Sequence, residues 1–475
     1  LKTGLKINND YYGPGLAGLS AMDRHVIANM GAELGATTTV FPADDEIRRF
    51  LTSQGRGGDY TPIHAESNAS YDVNDLIDLS ILEPLIARPS SPGNVVPVRE
   101  VEGEPVFQVV VGSSANPGLR DFAVVAEIVK GRQSHDQVSF DVNPTSRQIL
   151  EDLTMGGWLF DLIAAGARIH QSGCMGCIGM GQAPATGRNS LRTFPRNFPG
   201  RSGTKEDSVW LCSPETAAAA ALTGVITDPR SLPQRLGVGY PSLALPERAN
   251  VNISMLVSPL PDDEARRQEL VKGPNITSLP HFDPPPDRIE APVELKVGDD
   301  VSTDEILPAG ARVLPFRSNI GAISQFAFAQ LDEGYPERAA RSKDTTGHIV
   351  VGGLNYGQGS SREHAAIAPR YLGLRAVIAK SFARIHWQNL ANFGVVALEF
   401  VDPADYDDIT QDDILTIEDL QSALGDSDDS IVAQNTTKGH SYRLRHRLSE
   451  RQVAMVLAGG RIALNKQERG GHRAP

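Results

Sequence analysis

Apolar runs of strand length alternate along this chain with segments whose apolar residues recur at helical spacing. "DRHVIANMGAELGATTTVF", from Asp23 to Phe41, predicts a helix that ends in a glycine loop and leads into a short strand. "PVFQVVVGSSANPG" predicts a buried apolar strand running into a Gly/Ser/Asn turn, with a helix from about Leu119. Further strand–helix pairs are expected in "QVSFDVNP" before "SRQILEDLTMGG", at "ARIHQSGCMGC", and in "SVWLCSP" before "ETAAAAALTGV". Near the C-terminus "HIVVGGLNY" reads as a strand and "REHAAIAPRYL" as a helix. Strands alternating with helices imply an α/β fold with parallel sheets, whose loops and ligand sites lie at the carboxyl ends of the strands.

Breaks in this pattern divide the chain. A polar, proline-containing stretch from about Pro89 to Pro105 separates the first elements from the next, so residues 1–95 and 96–245 are expected as two α/β parts. Residues 246–290 shift to Pro, Asp and Asn, with three consecutive prolines in "SLPHFDPPPDRIE". Such a run excludes a helix or a central strand and predicts a semi-rigid surface linker. Residues 291–475 are expected to form a last α/β domain. No internal repeat is visible.

Composition narrows the class. With 475 residues the chain is too long for one ordinary core. A 40% hydrophobic and 22% charged content is that of an ordinary globular protein. Runs such as "AAAAALTGVI" from Ala217 fall well short of the roughly 20 residues that span a bilayer. A formal net charge of −13 argues against a general nucleic-acid binder, which needs clustered Lys and Arg. The one basic stretch, "SYRLRHRLSERQ" from Ser441, reads as a solvated strand or helix face. The sequence opens on Leu in what reads as mid-domain sequence, with no targeting peptide in view.

Chemistry concentrates in "HQSGCMGCIGMGQAPATG", where Cys174 and Cys177 form a CxxC in a glycine-rich stretch. Three cysteines are too few for a disulfide framework, so a reducing compartment and a metal or redox role fit better. Two thiolates on one tight turn suit an iron–sulfur cluster or zinc equally, and a pair of buried thiols is the plainer alternative. "FPRNFPGR" places Arg196 and Arg201 five apart, guanidinium forks suited to bidentate carboxylate contacts. In "GSSREH" the spacing of Ser360 and Glu363 is that of a capping box, so a helix start is expected there.

"NMGAELGATTTVF", "GCMGCIG" followed by "PRNFPGR", and "NYGQGSSREHAAIAPRYLG" occur in an order that resembles the aconitase superfamily, over nearly the whole chain. That group comprises aconitase, homoaconitase and isopropylmalate dehydratase. The resemblance implies aconitase-like three-layer α/β domains with parallel sheets, plus a swivelling C-terminal α/β domain. It implies a hydro-lyase that dehydrates and rehydrates a hydroxylated di- or tricarboxylate. It also implies a further N-terminal portion, so the protein is expected as a monomer or in association with that portion, in the cytoplasm or the mitochondrial matrix.

Residue by residue, the resemblance makes Cys174 and Cys177 cluster ligands and Arg196 and Arg201 substrate-carboxylate arginines. Ser360 becomes the catalytic base, with Ser361 and Arg362 binding substrate. Asp304 in "VSTDEILPAG" pairs with active-site groups, Arg317 in "LPFRSN" binds a carboxylate, and Asn29 and Glu33 match an active-site asparagine and glutamate. Three positions depart from the family. Ser114 in "GSSANPG" stands where a cluster cysteine is expected, Pro195 replaces an asparagine, and Glu305 follows Asp304 where aconitase has histidine. A [4Fe-4S] cluster, a [2Fe-2S] centre and a single metal ion therefore all stay open, with Ser114 or Cys212 as the third ligand.

Three functions follow. The first is an aconitate-hydratase-type enzyme for a citrate-like acid, with residues near 114, 174, 196, 317 and 360 meeting in one cavity. The second is a related dehydratase or isomerase for an alkylmalate or specialised acid, favoured by "STDEILPAG". The third is a cluster-less regulatory or RNA-binding relative, which the lost cysteine favours and the retained arginines and acidic charge disfavour.

Overall fold

A computed structural model describes residues 7–113, 118–204, 206–310, 312–359, 361–425 and 431–470. Contacts divide it into two units, Lys6–Glu269 and the chain from Leu270 onward. The division falls inside the stretch expected as a linker. Of that stretch only the short helix Asp262–Ala265 and the first residues of a strand are regular, because its prolines withhold the N–H groups that helices and ladders need.

In the N-terminal unit, β1 (Ile7–Asp10) and β2 (Ala36–Val40) pair in parallel. The helix Ala21–Met30 between them starts at a capping box of Ser20 and Asp23. The main sheet has seven strands. These are β3 (Leu85–Ala87), β4 (Val95–Pro97), β5 (Gln108–Gly112), β6 (Ser139–Asn143), β7 (Arg168–Ile169), β8 (Asn189–Arg192) and β9 (Ser208–Cys212). Their order is β4-β3-β9-β8-β5-β6-β7, parallel from β9 to β7, with β3 and β4 antiparallel at one edge. From β5 the chain moves outward to β6 and β7, then crosses back to β8 and β9. The carboxyl ends of β5 and β8 are therefore a topological switch point, where open α/β sheets bind ligands.

The hairpin β3–β4 corrects the expected boundary at 95/96. The stretch that opens at Pro89 is its turn and not a linker, since Arg88 N–H donates to Asn94 O at 2.9 Å and β3 joins β9. Strand alternation sorts the core of this sheet onto two faces. Val109, Val111 and Trp210 pack with the helices Leu119–Val129 and Pro214–Thr223, whereas Val110, Val209, Leu211 and Phe194 pack with Cys177.

The C-terminal unit is a closed barrel of seven strands. These are β10 (Ile289–Lys296), β11 (His348–Gly352), β12 (Leu374–Ala379), β13 (Val396–Phe400), β14 (Ile414–Ile417), β15 (Ile431–Asn435) and β16 (His440–Arg445). The order is β10-β11-β12-β13-β16-β15-β14, parallel from β10 to β13 and antiparallel through the rest. β11 to β13 are buried on both faces, as parallel strands covered by helices must be. The basic stretch falls on β16 and just beyond, alternating exposed and buried, and its Arg445 and Arg447 reach the buried Glu399.

Candidate functional site

In the N-terminal unit the CxxC loop runs from β7 toward β8 and is pinned from both sides. Asn143, at the end of β6, donates through Nδ2 to Gln171 O at 2.9 Å and accepts the Gly176 N–H through Oδ1 at 3.1 Å. Arg192 on β8, wholly buried, donates to Gly176 O at 2.7 Å, to Gln182 O at 2.6 Å and to Gln108 Oε1 at 2.9 Å. Gly179 has φ +76°, and a Cβ there would run into Ser202 O. The loop that carries Arg201 can therefore close directly onto the cysteine loop. No helix follows the CxxC, only a 3-10 turn at Gly176–Ile178.

Two arginines then meet this loop. Cys177 is 1% exposed, and Arg201 Nη2 donates to its Sγ at 3.2 Å. A hydrogen bond from Cys174, with the charges of Arg201 and Arg196, holds the Cys177 thiol well below its ordinary range against the opposing effect of burial. Arg196 Nε donates to Glu33 Oε1 at 2.6 Å. Burial pushes the Glu33 carboxyl up, with Arg196 and Arg201 working against it. Cys174, Cys177, Arg196, Arg201 and Glu33 thus form one electrostatically linked group. Asn29 lies in the last turn of the helix Ala21–Met30, half-buried, four residues before Glu33.

Cys212 does not join them. On β9 it points to the same side as Trp210, opposite the face that Val209 and Leu211 share with Cys177, and burial pushes its thiol up. Strand alternation alone removes it as a ligand to a group held by Cys174 and Cys177. Ser114 lies outside the described residues. Pro195 is buried beside Arg196.

The C-terminal unit holds a second set. Ser302 and Glu305 form a capping box that starts the short helix Thr303–Ile306 and buries Asp304 at 1% exposure. Arg362 donates to Asp304 Oδ1 at 2.6 Å and to Leu307 O at 2.7 Å, which fixes its guanidinium by two groups. Thr303 N–H donates to Gln358 O at 2.8 Å and ties this helix to the loop of the "GSSR" motif. Arg317 is exposed, and its guanidinium makes no hydrogen bond among the described residues; its carbonyl accepts from His364 Nε2 at 2.8 Å. Ser361 is exposed, and Ser360 lies outside the described residues.

Ser360 of the capping box expected with Glu363 lies outside the described residues. The helix opens at His364, with Glu363 as its N-cap and no side-chain cap. The glycines at 357 and 359, both at positive φ, carry the chain through a loop instead. A capping box is found at Ser302 and Glu305, where the same spacing went unread. Asn143 and Arg192 were also missed. "DVNP" after a buried strand was the legible sign for the first; a charged residue inside a buried strand offered none.

A family model described as "Aconitase family (aconitate hydratase)" matches residues 3–108 and 99–224, and a second, "Aconitase C-terminal domain", matches 329–403. The mitochondrial aconitate hydratase of Gracilaria gracilis is 33% identical over 516 residues, covering 96% of this chain and 65% of that protein. A probable mitochondrial aconitate hydratase of Dictyostelium discoideum is 30% identical, covering 97% of this chain and 67% of its own length. The 3-isopropylmalate dehydratase large subunit 1 of Methanopyrus kandleri is 40% identical over 223 residues, 46% of this chain and 53% of that subunit. A crystal structure of 3-isopropylmalate dehydratase from Methanocaldococcus jannaschii is 31% identical, covering 39% of this chain and 97% of that one, at a TM-score of 0.32 too low to bear on the fold.

The N-terminal unit is an α/β sheet with a cationic thiol loop at its strand ends, and the C-terminal unit a barrel that fixes an arginine on a buried aspartate. The chain belongs to the aconitase family. It spans about 65% of the length of the curated relatives first matched.

The family resemblance implies an iron–sulfur cluster, and the loop chemistry can be set against it. Cys174 and Cys177 offer two adjacent thiols with arginines to balance their charge. Among the described residues a third thiolate is not supplied, and no group of three His, Cys, Asp or Glu side chains could hold a metal ion. The described residues therefore fall short of a three-cysteine cluster site. Among them no helix is long and apolar enough to cross a membrane.

Proposed function

We propose that this chain is the larger part of a hydro-lyase that dehydrates and rehydrates a citrate-like hydroxytricarboxylate. The observation that carries this reading is the charge-linked group of Cys177, Arg201, Arg196 and Glu33. It gathers two cations on a buried thiol loop at the ligand end of a parallel sheet. Guanidinium forks match carboxylates bidentately, so Arg196, Arg201, Arg317 and Arg362 suit an acid of several carboxylates. Asn29 and Ser361 add neutral hydrogen bonds to it.

The reaction asks for a proton to leave the carbon next to a carboxylate while hydroxide leaves its neighbour, so that the substrate loses the elements of water. Ser360, as an alkoxide, takes the carbon-bound proton, and rehydration returns it. Arg362, held by Asp304, steadies the carboxylate whose charge grows as that proton leaves. Glu33, its carboxyl pushed up by burial, is the group placed to carry a proton to the departing hydroxyl. Cys174 and Cys177, with Ser114, are the residues that would hold a metal centre, which would supply Lewis-acid help to the departing hydroxide. Small di- or tricarboxylates are the partners, and the mitochondrial matrix or cytoplasm is the setting.

The test is a pair of substitutions, one in each unit. Arg201→Lys and Arg362→Lys are expected to raise KM for the same tricarboxylate at least about tenfold, since each loses a bidentate contact. Should neither change KM, the acid is not bound by these arginines. An alkylmalate is the second candidate substrate, favoured by 40% identity over 223 residues to a 3-isopropylmalate dehydratase large subunit. A panel of citrate, isocitrate and 3-isopropylmalate separates the two.

A further inference from the structure

Arg317 is fixed along its backbone and left without a partner at its tip. It follows the 3-10 turn Leu314–Phe316, and its own N–H donates to Leu314 O at 3.0 Å. The chain at 275–277 ties this turn down at two points, with Asn275 Nδ2 donating to Pro315 O at 3.2 Å and Thr277 N–H to Ser318 O at 2.9 Å. Asn319 N–H donates to Phe316 O at 2.8 Å, and the Asn319 side chain caps the helix Ile320–Ile323 by accepting the Ala322 N–H at 3.1 Å. The Arg317 carbonyl takes a hydrogen bond from His364 Nε2 at 2.8 Å. The guanidinium makes no hydrogen bond or ion pair among the described residues, although the chain carries 58 Asp and Glu against 45 Lys and Arg. A turn held in this way presents a cation at a fixed place with little left to order, which is what capture of a carboxylate needs.

The histidine that holds this carbonyl is itself buried, at 5% exposure, and opens the helix His364–Tyr371. A carbonyl only accepts, so the bond keeps a proton on Nε2 whatever the charge of the ring. Arg362 stands two residues earlier in the chain, with its guanidinium fixed by Asp304 Oδ1 and Leu307 O. The start of one helix therefore sets both arginines, Arg362 directly and Arg317 through the His364 ring. Two guanidinium forks at a set spacing match two carboxylates at a set spacing on one acid.

We propose that His364 is a positioning residue for substrate binding. Through its hydrogen bond to the Arg317 carbonyl it sets the place of the Arg317 guanidinium relative to that of Arg362, and so the spacing at which the acid's carboxylates are received. No bond to substrate is made by His364, and no proton changes owner. The proposal rests on the hydro-lyase reading, through the roles of the two arginines as carboxylate ligands.

The experiment uses the full chain reconstituted with iron and sulfide. It compares wild type with His364→Leu, His364→Gln and His364→Asn, and adds Arg317→Gln alone and combined with His364→Leu. The Gln amide reaches about as far as the imidazole Nε2 and can donate to the Arg317 carbonyl, whereas the Asn amide stops short of it. Amide hydrogen exchange over 314–319 is expected to speed up in His364→Leu and His364→Asn and to stay at the wild-type rate in His364→Gln. In steady-state kinetics with isocitrate the same two variants raise KM at least about tenfold with kcat little changed, and His364→Gln recovers the wild-type KM. On the Arg317→Gln background His364→Leu adds no further rise in KM, because the histidine acts through that arginine. Should His364→Leu fail to fold, the contrast between His364→Gln and His364→Asn decides alone. A wild-type KM in His364→Leu and His364→Asn, or a fully additive rise on the Arg317→Gln background, would overturn the positioning role and leave the hydro-lyase reading standing. A wild-type chain that turns over none of citrate, isocitrate and 3-isopropylmalate would overturn that reading and this proposal with it.

Discussion

Asp121 shows how burial and hydrogen bonding compete at one residue. It accepts the Gly118 N–H at 2.9 Å and faces Arg120 at 3.1 Å, yet burial wins and raises its pKa to about 6. In the unfolded chain an aspartate titrates near ~3.9. Between about pH 4 and 6 the folded state therefore holds a proton that the unfolded state has lost, and stability falls as pH rises across that window. Asp121→Asn is expected to stabilise the chain by on the order of 2 kcal/mol at pH 7.5, with the gain fading toward pH 4, as measured by denaturant titration at both values. A second residue-scale outcome concerns Asp304, 1% exposed against Arg362. Asp304→Asn removes the charge that aims the guanidinium and is expected to lower kcat/KM by about tenfold or more, read in steady-state kinetics. The two side chains differ in legibility. Asp304 was marked by its motif, whereas nothing in "GLRDF" distinguishes Asp121 from a solvated helix acid.

Among the elements, those with a local signal were legible and those assembled by long-range contact were not. The strand and helix at Gln108–Gly112 and Leu119–Val129 and the pair at Ser208–Cys212 and Pro214–Thr223 stand where apolar runs and Gly or Ser–Pro breaks put them. The hairpin β3–β4 was hidden because its three-residue strands are too short to show a period, and the proline stretch between them looks the same as a linker. The CxxC loop shows the same limit. Its spacing was plain, but the buried Arg192 that ties Gly176 and Gln182 to β8 sits 15 residues after Cys177 within an ordinary strand. Arg192→Leu leaves those carbonyls unpaired and is expected to cost about 3 kcal/mol or more. It should also speed modification of Cys174 and Cys177 by a thiol reagent; unchanged thiol reactivity would show that the loop holds its shape without the arginine.

At the scale of the molecule, composition and punctuation separated a sheet-based part from a final domain, and the contact division at Glu269/Leu270 lies within the proline-rich stretch. That stretch exposes Val251, Met255, Leu256 and Val257, and has little regular structure to shield its backbone. Limited proteolysis is expected to cut first between about 251 and 281 and to release two protected fragments; early cuts inside β5 to β9 or the barrel would contradict this. The closed seven-stranded barrel was not legible as such. Parallel β11 to β13 announce themselves as apolar runs, but closure depends on β14 to β16 returning antiparallel to β10. No local pattern encodes that pairing.

The central claim is the proposed dehydration of a hydroxy acid by this chain. The most direct test is to reconstitute the full chain with iron and sulfide and to follow the ultraviolet absorbance of the new carbon–carbon double bond with citrate, isocitrate and 3-isopropylmalate. A rise with at least one acid, abolished by Cys177→Ser and by Ser360→Ala, is the predicted result. A folded, iron-loaded chain that forms no double bond from any of the three would contradict it.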